Sequence, residues 1–120
     1  MFSIPSIEPY EAKTKADKGE LIILDIREPF ETSFTSVEGT HNIPLSQLNH
    51  RIEEIMALKD KEVAILCRSG SRSAQLTHYL RMQGFNKVFN ITGGILKWAD
   101  QVDSSVRKYA TSGEQIIEMK

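Results

Sequence analysis

The residues best suited to chemistry lie together: a cysteine, Cys67, followed by Arg68, Ser69, Gly70, Ser71 and Arg72. A glycine inside so short a loop lets successive backbone N–H groups turn inward, which makes a nest for an anion. A helix starting at the end of the loop would add its positive terminus. The two arginines add charge, and no acid stands between Cys67 and Arg72. A thiol in that setting is expected to react as its thiolate and to serve as a covalent nucleophile. The plainer alternative is a buried strand-end cysteine acting as a small hydrophobe beside two solvated arginines.

Cys67 is the only cysteine. An internal disulfide, a Cys-x-x-Cys redox pair and a multi-thiolate zinc site are therefore excluded. His41, His50 and His78 are scattered without ligand spacing, so neither a metal nor another cofactor is expected.

Positioning such a loop requires a strand before it and a helix after it. Val63-Ala64-Ile65-Leu66-Cys67 reads as a strand buried on both faces, and Leu21 to Ile26 reads the same way. Lys87 to Ile91 supplies a third strand, and a shorter extended piece around His41-Asn42-Ile43 stops at Pro44. Helical periods lie between them. Pro9 suits a first helical position and starts a helix from Tyr10 to Lys18, ended by Gly19. Ser46 is placed to cap a segment whose Leu48, Ile52, Ile55 and Met56 share a face. Leu76, Tyr79 and Leu80 form the inward stripe of the helix after the loop, which Gly84 closes. Ile95 to Gln101 makes a shorter helix carrying Trp98, expected in the core or an interface. This alternation predicts an α/β fold with a central, mostly parallel sheet flanked by helices. Cys67 then stands at the carboxyl edge of the sheet, where open parallel sheets bind ligands.

The whole chain, residues 1–120 at 13.6 kDa, is the size of one domain. Its core is expected over about residues 4–101, with a C-terminal tail at 102–120. Hydrophobic residues at 40% and charged residues at 26% give globular composition. A net charge of −1 offers no basic field for nucleic acid. The longest apolar run, Val63 to Cys67, is five residues, against roughly twenty for a membrane span. Met1 to Ser6 lack the basic start and apolar stretch of a signal peptide. A cytoplasmic protein with no nucleic-acid or membrane partner is expected.

Four segments, in order, resemble the rhodanese-like single-domain sulfurtransferases. Leu24-Asp25-Ile26-Arg27-Glu28 is similar to that family's early Asp-x-Arg-Glu motif. Gly39-Thr40-His41-Asn42-Ile43-Pro44 is similar to its Gly-Ala-x-Asn-Ile-Pro segment, Cys67 to Arg72 to its six-residue active loop, and Gly93-Gly94-Ile95-Leu96-Lys97-Trp98 to its Gly-Gly-x-x-x-Trp segment. One stretch departs: Thr35-Ser36-Val37-Glu38 stands where the family usually carries Gly-His-Ile-Pro, which bears on specificity more than on sulfur chemistry. The resemblance implies a five-stranded rhodanese-like sheet and a persulfide mechanism. In it, Cys67 takes sulfane sulfur from thiosulfate or another donor and hands it to a thiol or cyanide acceptor. Arg68 and Arg72 would hold an anionic donor, with Ser69, Gly70 and Ser71 completing the loop. Asp25 and Arg27 either rim the site or form an ion pair with Glu28 or Glu31 that orders the loop.

Three rivals follow. A phosphatase or arsenate reductase of the Cys-x5-Arg type needs a longer loop, with arginine where Ser73 stands. Binding modules on the same fold commonly lack the cysteine. A persulfide relay, working with a cysteine desulfurase or a sulfur-carrier protein, differs in partner rather than in chemistry.

Overall fold

The computed structural model describes residues 3–120. Five strands form one parallel sheet in the order β1-β5-β4-β2-β3. They are β1 (Ser6–Ile7), β2 (Ile22–Asp25), β3 (His41–Asn42), β4 (Val63–Leu66) and β5 (Val88–Ile91). The expected α/β architecture is present, with β4 central and its four residues all buried. A strand covered on both faces has no need of polar alternation, hence its unbroken apolar run.

Alternate side chains of the central strands feed two cores. Ile23, Ala64 and Leu66 pack on one side with Trp98 and Ala12, below α1 (Pro9–Asp17) and α5 (Gly94–Gln101). Leu24, Ile65 and Cys67 pack on the other with Leu76 and Leu80 of α4 (Ser71–Met82) and Ile55 of α3 (Ile52–Met56). Trp98 is in the core. Cys67 therefore faces the side covered by α4.

The strand ends converge at the carboxyl edge. After β2 the chain enters α2 (Pro29–Phe34), after β4 it enters α4, and after β5 it enters α5. These three strand-to-helix turns surround Cys67.

Several elements differ from the sequence reading. Tyr79 is 45% exposed rather than inward, because Leu76, Thr77 and Leu80 already cover the buried face of α4. Ser46 caps no α-helix; it lies in a 3-10 turn over Leu45–Gln47, and its N–H and hydroxyl bind the Glu28 carboxylate. The helix there is confined to α3. The short β1 and the helix α2 carry no hydrophobic period long enough to read. In the tail, β6 (Tyr109–Ser112) and β7 (Gln115–Glu118) form an antiparallel hairpin. Val106 and Tyr109 join the Trp98 core, and the Phe34 and Tyr109 rings meet edge to face at 5.6 Å. Among the described residues no helix is long and apolar enough to cross a membrane.

Candidate active site

The loop from Cys67 to Gly70 is folded so that its sulfur faces backbone donors. Gly70 precedes α4 with φ +99°, a left-handed conformation that side-chain-bearing residues rarely adopt. That turn points the Gly70 N–H at Cys67 Sγ, 3.1 Å away, and the Ser73 N–H of the first helical turn reaches the same sulfur at 3.4 Å. The Ser73 hydroxyl lies 3.3 Å from Sγ and donates a short hydrogen bond to Asn90 Oδ1 on β5. Two amides and a helix terminus thus converge on one sulfur, which suits negative charge at that atom.

A second helix fixes the other side of the same peptides. The Ile95 N–H donates to the Cys67 carbonyl at 2.9 Å, and the Leu96 N–H to the Arg68 carbonyl at 3.2 Å. So close an approach is possible only because Gly94 has no side chain. A Cβ there would stand 2.5 Å from the Cys67 carbonyl oxygen and 2.6 Å from that of Arg68.

The outer face of the loop is held by charge. Arg72 donates from both terminal nitrogens to the two oxygens of Glu31, each at 2.8 Å. Glu31 is 1% exposed and also accepts from the Glu28 N–H and the Tyr109 hydroxyl. Burial alone would raise the Glu31 carboxyl. The hydrogen bonds from Arg72 and the Glu28 N–H outweigh it and hold the group below its usual range. Arg72 is correspondingly pushed up by Glu31. Burial pushes the Tyr109 hydroxyl up to about 12, so it stays a proton donor to Glu31. Arg27 completes the network, donating to Tyr109 Oη at 3.2 Å, to the Thr35 carbonyl at 2.9 Å and to both oxygens of Asp25. Arg68 donates to the Tyr109 carbonyl at 3.1 Å.

Above the loop lies an open cleft of about 460 Å³. Arg68, Ser69, Ser71 and Arg72 form one wall, Glu28, Phe30 and Glu31 the second, and Thr111 with Gly113 of the hairpin the third. The expected loop residues are thus brought together around Cys67, which is itself 1% exposed at their base. Asp25 and Arg27 are not at the rim. They are 1% and 0% exposed and pair with each other rather than with Glu28 or Glu31, because Arg27 turns inward to reach Asp25 and Tyr109. Among the described residues no group of three or more His, Cys, Asp or Glu side chains could hold a metal ion.

Sequence reasoning missed Tyr109, Thr111, Asn90 and the position of the Ser73 hydroxyl. The β-branched pair Ile116-Ile117 after Gly113 is the signal that could have revealed the hairpin.

Comparison with known proteins agrees with this geometry. The family model of the rhodanese-like domain matches residues 8–101. A sulfurtransferase of Allochromatium vinosum is 39% identical over 84 residues, covering 70% of this chain and 77% of its own. An adenylyltransferase and sulfurtransferase of Zea mays is 34% identical over 105 residues, covering 82% of this chain; the match spans only 22% of the maize protein. The crystal structure of a rhodanese-related protein from Thermoplasma volcanium superposes with a TM-score of 0.70 at 31% identity, covering 82% of this chain and 93% of that one. With the parallel sheet, the loop at its carboxyl edge and the matched family model, this chain belongs to the rhodanese-like domain family of sulfurtransferases.

Proposed function

We propose that Cys67 carries sulfane sulfur as a persulfide, taking it from thiosulfate or a persulfide donor and passing it to a thiol or cyanide. The observation that carries this reading is the pair of backbone N–H groups, of Gly70 and Ser73, directed at Sγ. They hold negative charge on the attacking thiolate, and in this proposal the remaining amides of the loop take it up on the outer sulfur once that has been transferred. The reaction is two half-reactions through one covalent intermediate, so ping-pong kinetics are expected. Ser69, Gly70 and Ser71 form the cradle; Arg68 and Arg72 attract an anionic donor at the cleft mouth. No cofactor takes part in this scheme. We place the protein in the cytoplasm as one domain, with the hairpin closing its site.

A relay reading is favoured by a separate observation. Glu31 occupies both terminal nitrogens of Arg72, which leaves less free charge for a small dianion such as thiosulfate. A donor or acceptor bound through its own surface, such as a cysteine desulfurase or a sulfur-carrier protein, has no need of that charge. The maize relative, an adenylyltransferase and sulfurtransferase, joins adenylation with sulfur transfer by name, which suits such a partner.

Sulfur transfer to cyanide, measured with thiosulfate and with an organic persulfide, tests the proposal against Cys67→Ser. The variant is expected to keep its circular dichroism and lose turnover by at least about a thousandfold, as when a covalent nucleophile is removed. Turnover retained in Cys67→Ser contradicts the assignment.

A further inference from the structure

Ser73 is fully buried in the first turn of α4, and its hydroxyl oxygen lies between two acceptors. One is Asn90 Oδ1, which receives its proton in a short hydrogen bond; the other is Cys67 Sγ at 3.3 Å. A hydroxyl has one proton and two lone pairs. With the proton on Asn90, the lone pairs face the sulfur and accept from the Cys67 thiol. With the sulfur ionised, the same hydroxyl gains more by turning its proton to Sγ, because a charged acceptor makes the stronger hydrogen bond.

We propose that Ser73 is a catalytic residue whose hydroxyl turns between Asn90 and Cys67 Sγ in step with the charge on that sulfur, and that Asn90 is the positioning residue holding the proton when the charge is elsewhere. The cycle balances without a proton leaving Ser73. Before loading, the Cys67 thiol gives up its proton to solvent water in the cleft; the thiolate, with the hydroxyl donating to it, then bonds to the donor's outer sulfur. The donor's S–S bond breaks, and its electron pair leaves with the donor remnant, sulfite in the case of thiosulfate. Negative charge then sits on the outer sulfur, Sγ is a neutral bridging atom, and the hydroxyl turns back to Asn90. In discharge the acceptor's electron pair bonds the outer sulfur, and the Sγ–S pair returns to Sγ. The hydroxyl swings over to the thiolate that forms. Ser73 therefore acts at attack and at departure, while the Gly70 and Ser73 amides stay fixed throughout. The charged groups beside the sulfur, Arg72 and its partner Glu31, are the same in every variant below.

The discharge step rests on the proposed sulfur transfer; the reactivity of the resting thiol does not, so two measurements separate the failures. The first is the rate of Cys67 alkylation by the neutral reagent iodoacetamide from neutral to alkaline pH. The second is single-turnover discharge of the preloaded persulfide to cyanide. Ser73→Ala is expected to slow neutral-pH alkylation and discharge about tenfold each, the rate equivalent of one hydrogen bond to a charged group. The difference from wild type is expected to close toward alkaline pH. Asn90→Leu, which removes the competing acceptor at similar volume, is expected to alkylate as fast as wild type or faster. A loop that had only been loosened would instead slow both variants. Should Ser73→Ala not fold, Asn90→Leu alone decides the proposal. Neutral-pH alkylation at the wild-type rate without the hydroxyl, or slowed alkylation in Asn90→Leu, overturns the proposal. Normal alkylation differences with no persulfide discharge in wild type would instead count against sulfur transfer alone.

Discussion

The two faces of the active loop are held by different physics. On the inner face the sulfur meets two amides and a hydroxyl, and that hydroxyl is held by the Asn90 carboxamide; all are neutral and buried. On the outer face two arginines and two acids, with Tyr109 among them, form a continuous ionic network. Neutral dipoles can stabilise a charge that appears and disappears, because they are fixed in advance and need no counter-ion between steps. The ion pairs do the opposite task of keeping a glycine-containing loop in one conformation. In this account the chemistry belongs to the inner face and the shape of the site to the outer one, with Arg68 at their common edge.

The largest effect is expected where a helix backs the inner face. Gly94→Ala places a methyl group 2.5 Å from the Cys67 carbonyl oxygen at a φ of +58°. The strained backbone and the clash together should cost about 3 kcal/mol. Denaturant unfolding measures it. A loss under about 1 kcal/mol would mean that the loop yields easily, and that the inner face is not rigidly held.

The outer face breaks differently. Glu31→Gln leaves Arg72 with neutral partners, and since the Arg72 side chain is 33% exposed, the cost is held to about 2 kcal/mol. The pH dependence gives a sharper reading. The Glu31 carboxyl titrates below its usual value near 4.5 when folded. Its contribution is therefore present above that value and is lost as pH falls through the folded one. Wild-type stability should decline with acid below about pH 4.5, and Glu31→Gln should show a flatter decline. Equal acid slopes in the two proteins would remove the network from the account.

The smallest effects separate the two arginines. Arg68→Ala should raise KM for thiosulfate a few-fold with kcat little changed, and added salt should mimic it, as for a charge whose main effect on turnover is to attract the donor. Arg72→Ala should lower kcat as well, because its guanidinium also holds the loop through Glu31. Steady-state kinetics at low and high ionic strength distinguish them. If both variants match wild type and salt has no effect, small anions are not the donors this cleft selects.

The inner face was legible in the sequence because its parts are local: Cys67, Gly70 and the start of α4 lie within seven residues. The sheet was legible for a similar reason, since buried parallel strands announce themselves as short apolar runs. The outer face was not. Its members come from β2, α2, the loop and β6, and the contact between Tyr109 and Glu31 spans 78 positions. Asp25 and Arg27 read as charged residues near the site, but that they bond each other was not legible. Arg27 also reaches Tyr109 of the hairpin, whose one sequence signal was the short pair Ile116-Ile117, because β7 is almost wholly exposed. Ser73 was noticed for not being arginine; its hydroxyl gained meaning only when β5 brought Asn90 beside it.

The proposed persulfide on Cys67 is open to intact-protein mass spectrometry after brief treatment with a persulfide donor or thiosulfate. A gain of one sulfur atom is expected in the folded wild type, located at Cys67, absent in Cys67→Ser, and removed by cyanide. A protein that gains no sulfur from either donor, or whose adduct survives cyanide as an oxidised cysteine would, contradicts it.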